Sequence, residues 1–216
     1  MKFLHCLSIA AILAATGFSN AAVVIDNLAA GTQSFSLSVS GPTATGFLGG
    51  SFADREVAFS FSTGAYDTTL NKIEFYIAIG KPILSPIQMT LSTGSSVPGG
   101  IDPVVLGSVT PASTSPTVQL LEITPVIPAS LTANTLYWIH VTVPSGGAVY
   151  SFANTDTPQI ESGWSLGNTW SRTPSSSWSE LSSGPVARIR LTVPEPSSAL
   201  LGGLGLLLLL KRKRFR

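Results

Sequence analysis

Ile73, Phe75, Ile77 and Ile79 alternate with Lys72, Glu74 and Tyr76, so an extended chain would carry every large apolar side chain of this stretch on one face. The same period of two recurs along the chain, and no stretch between residues 22 and 193 holds a helical period for long. Val57, Phe59 and Phe61 oppose Ala58, Ser60 and Ser62; Ile87, Met89 and Leu91 follow the same rule. Shorter apolar runs lie at Phe35 to Val39, Val104 to Val109, Val118 to Ile123, Leu136 to Val143 and Ala187 to Val193. Turn-forming segments such as Ser95 to Gly100, Pro111 to Pro116 and Pro144 to Gly147 separate them. A chain patterned in this way buries its apolar surface by stacking sheets. The expected fold is all-β, an antiparallel β-sandwich of the jelly-roll type, in one domain over residues 22–193 with no repeat.

Both ends depart from this pattern. Lys2, the apolar stretch Phe3 to Ala15 and the small-x-small triplet Ser19-Asn20-Ala21 have the order of a secretory signal peptide, a helix over residues 1–21 cleaved between Ala21 and Ala22. At the other end Val193-Pro194-Glu195-Pro196 stops any strand or helix, because each proline fixes φ and removes a donor. Ser197 or Ser198 can cap a new hydrophobic helix that runs to Leu210, before a basic tail of Lys211, Arg212, Lys213, Arg214 and Arg216. Fourteen helical residues rise about 21 Å against a hydrocarbon core of about 30 Å, short for a permanent span. Snorkelling lysine and arginine would extend that reach, so a plain C-terminal anchor is the alternative.

In its order of motif, apolar run and basic end, the stretch 194–216 resembles the PEP-CTERM sorting signal of Gram-negative bacteria. The resemblance implies export, transient anchoring in the inner membrane, processing near Pro194 to Pro196 by an exosortase, and a place among exopolysaccharide-producing, biofilm-forming bacteria. The exported part resembles the choice-of-anchor R family. It does so through Val57-Ala58-Phe59-Ser60-Phe61-Ser62-Thr63-Gly64, the Leu70 to Tyr76 strand, Leu131-Thr132-Ala133-Asn134-Thr135-Leu136-Tyr137-Trp138, and the region of Gly163-Trp164 and Trp178. That likeness implies no catalytic activity and carries no active-site residues.

Charge narrows the function classes. Setting aside Lys2 and the five basic tail residues from the 12 basic, and Glu195 from the 11 acidic, leaves six against ten, a net of −4 over 22–193. A mildly acidic domain is a poor nucleic-acid binder. The single cysteine, Cys6, lies inside the signal peptide, with His5 where a lipoprotein signal needs a small residue. The mature chain would therefore hold no disulfide, thiol nucleophile or zinc-thiolate site.

Little else points to catalysis. His140 is the only histidine after the signal peptide and shares a strand face with Leu136 and Trp138; no Gly-x-Ser-x-Gly elbow accompanies it. No metal or other cofactor is expected with one histidine and no cysteine. Asp54 and Glu56 are spaced to share a face, and Asp67 and Asp102 lie in expected turns, but none forms an Asp-x-Asp-x-Asp loop. A glycosidase needs only two carboxylates, so Asp54 and Glu56 define that minor alternative. Trp164, Trp170 and Trp178 stand among Ser, Gly, Thr and Asn in the segment Ser162 to Ser183, read as a polar loop. Indole faces among polar groups suit a sugar ring, so these three are candidate glycan-binding residues. The structural alternative is that they cover the open ends of a sandwich, with Trp170 the most exposed. The expected function is that of a non-enzymatic exported surface or matrix protein, and the second reading is a carbohydrate-binding module.

Overall fold

Alternation of apolar and polar side chains produces strands throughout the computed structural model, which describes residues 21–28, 34–44, 54–94, 96–99, 101–115, 117–155, 159–181 and 186–195. The expected signal peptide apart from Ala21, which is extended rather than helical, and Pro196, the hydrophobic helix and the basic tail lie outside these residues. Contacts gather Val23–Val193 into one unit. Its strands, in chain order, are β1 (Ala21–Asp26), β2 (Ser34–Ser40), β3 (Glu56–Ser62), β4 (Thr68–Leu70), β5 (Lys72–Ile79), β6 (Ile87–Thr93), β7 (Ile101–Val109) and β8 (Val118–Ile123). They continue with β9 (Ala129–Leu131), β10 (Leu136–Thr142), β11 (Val149–Thr155), β12 (Gln159–Ile160), β13 (Ser165–Arg172), β14 (Ser179–Glu180), β15 (Val186–Ala187) and β16 (Ile189–Pro194). The fold is all-β and sandwich-like, its sheets antiparallel, with no helix among the described residues.

The first sheet is organised around β5. β8 pairs along one edge of it from Ile73 to Ala78, and its other edge is shared, with β16 opposite Lys72 to Phe75 and β11 opposite Ile77 to Ile79. β2 continues the sheet beyond β11, and β1 and β12 continue it beyond β16. Ile73, Phe75 and Ile77 are completely buried, and Phe75 stacks on Phe152 of β11 at 5.4 Å. The opposite face is an ion ladder: Asp26 to Arg190 (3.0 Å), Arg190 to Glu74 (3.5 Å), Glu74 to Lys72 (3.3 Å) and Lys72 to Glu122 (3.6 Å). Opposite charges meet strand by strand from β1 to β8, so this face satisfies its own charges.

β15 and β16 are one course of chain broken at Arg188, where it passes from β11 to β5. Asn27 bridges the break, donating its amide to the Ala187 carbonyl (2.8 Å) and accepting from the Ile189 N–H (2.5 Å). The Arg188 guanidinium is buried and donates to the carbonyls of Asn27 and Leu28.

The second sheet runs β14-β13-β3-β10-β6-β7. Val57, Phe59 and Phe61 of β3 and Tyr137, Ile139 and Val141 of β10 are buried on its inner face. At its β7 edge a Cβ on Gly107 would stand only 3.2 Å from Ile123 of β8, so the two sheets close on each other there. β7 ends the sheet with Pro103 and two register irregularities against β6, devices that discourage further strand pairing. A short ribbon of β4 and β9 completes the fold.

Candidate functional site

The outer face of the six-stranded sheet is unlike the ion ladder on the other sheet. In antiparallel pairs, directly opposed residues point to the same side. Trp138 therefore lies in a row with Ser60 and Ser92; the adjacent row holds Trp170, Ala58, His140 and Thr90, and the next opens with Arg172 beside Glu56. Trp170 meets Trp138 edge to face at 6.3 Å, which helps explain why Trp138, though on an outer face, is only 2% exposed.

Beyond β13 the chain turns back over this face. Ser176 closes the turn, donating its N–H to the Thr173 carbonyl (2.9 Å) and accepting from the Thr173 N–H (3.0 Å). Trp178 then crosses β3 and meets His140 of β10 edge-on at 5.5 Å. The Arg172 guanidinium lies 4.6 Å from the Trp178 ring, a cation–π contact, while its Nε donates to Glu56 at 2.6 Å. The Trp178 Nε1 faces Gly99 in the β6–β7 connection; that glycine has φ +115°, and a Cβ there would stand 3.9 Å from the nitrogen. The indole nitrogens of both Trp170 and Trp178 are buried without a hydrogen-bond acceptor among the described residues.

Trp164 is placed elsewhere. It stacks on Phe61 at 6.2 Å, and Phe61 stacks on Tyr137 at 5.6 Å, all on the inner face. The separation follows from one extra residue in β13. Leu166 pairs with Phe61, but Thr169, three residues on, pairs with Phe59, two residues back. The bulge reverses the parity of the strand, so even-numbered side chains face inward before it and outward after it. Ser162 to Ser183 is therefore not simply a loop: it holds β13, drawn into the sheet by pairing with β3 despite its Ser, Gly and Asn content, and β14, which pairs with β13. Trp170 and Trp178 are both part-buried rather than fully exposed.

His140 and Ser92 are hydrogen-bonded at 3.0 Å. Ser92 is 2% exposed, which shields its hydroxyl from a substrate. Burial and the nearby Arg172 push the His140 pKa below its ordinary value, with Glu56 opposing them. Asp54 is raised by burial and by the charge of Glu56. Glu56 is committed to Arg172, so the two carboxylates do not form a free pair. Asp67 instead accepts from the Ala133 N–H at 2.8 Å and holds the turn before β10, and Asp102 falls in β7 rather than in a turn. Among the described residues no group of three or more His, Cys, Asp or Glu could hold a metal ion, and no helix is long and apolar enough to cross a membrane. Searches against protein-family models and against curated proteins return no match.

Proposed function

We propose that this chain is a non-enzymatic protein of the cell surface or extracellular matrix of a Gram-negative bacterium. An N-terminal signal peptide exports it, the C-terminal helix holds it transiently in the inner membrane, and an exosortase processes it at the Pro194-Glu195-Pro196 motif. Exopolysaccharide surrounds it after release. The exported body is a β-sandwich of the jelly-roll type, and its tail is of the PEP-CTERM kind.

The observation that carries this reading is where strand pairing begins and ends. β16 pairs with β5 through Ile189 to Thr192, so a cut at Pro194 to Pro196 leaves every one of those pairs intact. At the front, removal of Ala21 takes only the exposed first residue of β1, whose pairing with β12 lies at Ile25 and Asp26. Both cuts would spare the folded unit Val23–Val193.

Replacement of Pro194, Glu195 and Pro196 by alanine in an exosortase-bearing host tests it. The expected result is protein that keeps its tail to Arg216 and stays in the inner membrane, while the unaltered chain reaches the surface and medium. Equal release of both proteins would overturn the reading.

A further inference from the structure

We infer that the outer face of the six-stranded sheet, between Trp170 and Trp178, is a binding site for a neutral polysaccharide. A sheet face turned to water ordinarily carries polar or paired charged side chains, as the ladder from Asp26 to Glu122 does. This one carries three indoles, an imidazole and hydroxyls. Trp170 packs edge to face on the buried Trp138, Trp178 meets the half-buried imidazole of His140, and the buried Ser92 hydroxyl holds that imidazole in place.

Two further observations select the ligand. The first is the pair of buried indole N–H groups, on Trp170 and Trp178, that have no acceptor among the described residues. A buried donor without a partner is costly and is relieved when an acceptor reaches it. A sugar supplies that acceptor as a hydroxyl oxygen while its C–H face stacks on an indole.

The second observation is charge. Glu56 and the nearby Asp54 lie at one end of the face and Glu180 opposes Trp170, while Arg172 already serves Glu56 and the Trp178 ring. A uronate or sulfated chain would meet net negative charge here, whereas a neutral chain pays no such penalty. Trp178 lies in the connection between β13 and β14, held by the Thr173–Ser176 turn on one side and by the pairing of Ser179 and Glu180 with β13 on the other.

The test is affinity electrophoresis of the full chain in mild detergent through gels containing hydroxyethylcellulose, galactomannan, dextran or alginate. At least one neutral polymer should retard the protein, and alginate should not. Trp178→Ala should weaken the retardation at least about tenfold, and Trp178→Phe, which keeps a ring but removes the N–H, by about three- to fivefold. Tyr66→Ala, at an exposed aromatic outside this sheet, should change nothing. Should Trp178→Ala fail to fold, Trp178→Phe decides. Lack of retardation by every neutral polymer, unchanged binding in Trp178→Phe, or tighter binding to alginate would overturn the inference. The unprocessed chain is used, so failure here is distinct from failure of the sorting proposal.

Discussion

Tyr150 and Ser85 hold each other through two hydrogen bonds of 2.8 Å: the phenol donates to the Ser85 carbonyl and accepts from the Ser85 N–H. Tyr150 is fully buried on β11, so its hydroxyl fixes the segment leading into β6 of the other sheet. Tyr150→Phe leaves both backbone groups without a partner and should cost about 2–4 kcal/mol. For a unit of this size that corresponds to a fall in Tm of about 5–12 °C, measurable by calorimetry.

Asn27 performs a comparable task at the break between β15 and β16, where its side chain replaces the strand pairing that Arg188 interrupts. Asn27→Ala should lower stability by about 2–4 kcal/mol, because a carbonyl and an N–H become buried and unpaired. Asn27→Asp should also destabilise, since a carboxylate cannot donate to the Ala187 carbonyl. Urea unfolding of the two variants checks this, with midpoints below that of the parent chain and similar slopes.

Gly167 belongs to the bulge that separates Trp164 from Trp170. A Cβ there would stand 2.2 Å from the Ser60 hydroxyl oxygen, so Gly167→Ala must displace Ser60 or the bulge. The expected loss is about 1–3 kcal/mol, with a shift in tryptophan emission as Trp170 moves over Trp138. Ser60→Gly in the same chain should restore much of the loss, and thermal melts of the single and double variants measure it.

Acidity should act through His140. Its folded pKa is depressed by burial and Arg172, so the unfolded chain takes up a proton first as pH falls. The resulting stability is present above the unfolded value near 6.5 and declines as pH drops through it toward the folded pKa. Arg172 and Glu56 are the charged groups that act on the ring, Arg172 adding to the depression and Glu56 opposing it. Tm measured from pH 7.5 to 5 should fall less steeply in His140→Gln than in the parent chain. An NMR titration should place the His140 ring below the ordinary histidine range.

Much of the framework was legible because local alternation and final burial coincide. β3, β5 and β10 read as strands with the correct inner faces, since Val57, Phe59, Phe61, Ile73, Phe75 and Ile77 all reach the core. β11 escaped notice: Val149 to Phe152 alternates only briefly between Gly147 and the turn-like Asp156 to Pro158. Its place beside β5 comes from partners more than 70 residues away. β13 was hidden for a different reason, because Gly167 and Asn168 are weak strand formers and pairing with β3 overrides them. The candidate site was half legible. Three tryptophans drew attention to the segment Ser162 to Ser183, yet the bulge at Gly167 sends one inward, and Trp138, His140 and Arg172 join the others only through cross-strand register. Alternation did place His140 and Trp138 on one face, which was the available signal.

In the function proposed above, the two ends of this chain are addresses and the β-unit between them is the cargo. The most direct measurement is intact mass of the protein recovered from the surface and medium of a host with its exosortase and of one without. A species that begins at Ala22 and ends near Pro194 to Pro196 is expected only where the exosortase is present. A tail retained to Arg216 in both hosts, with the protein held in the inner membrane, would contradict it.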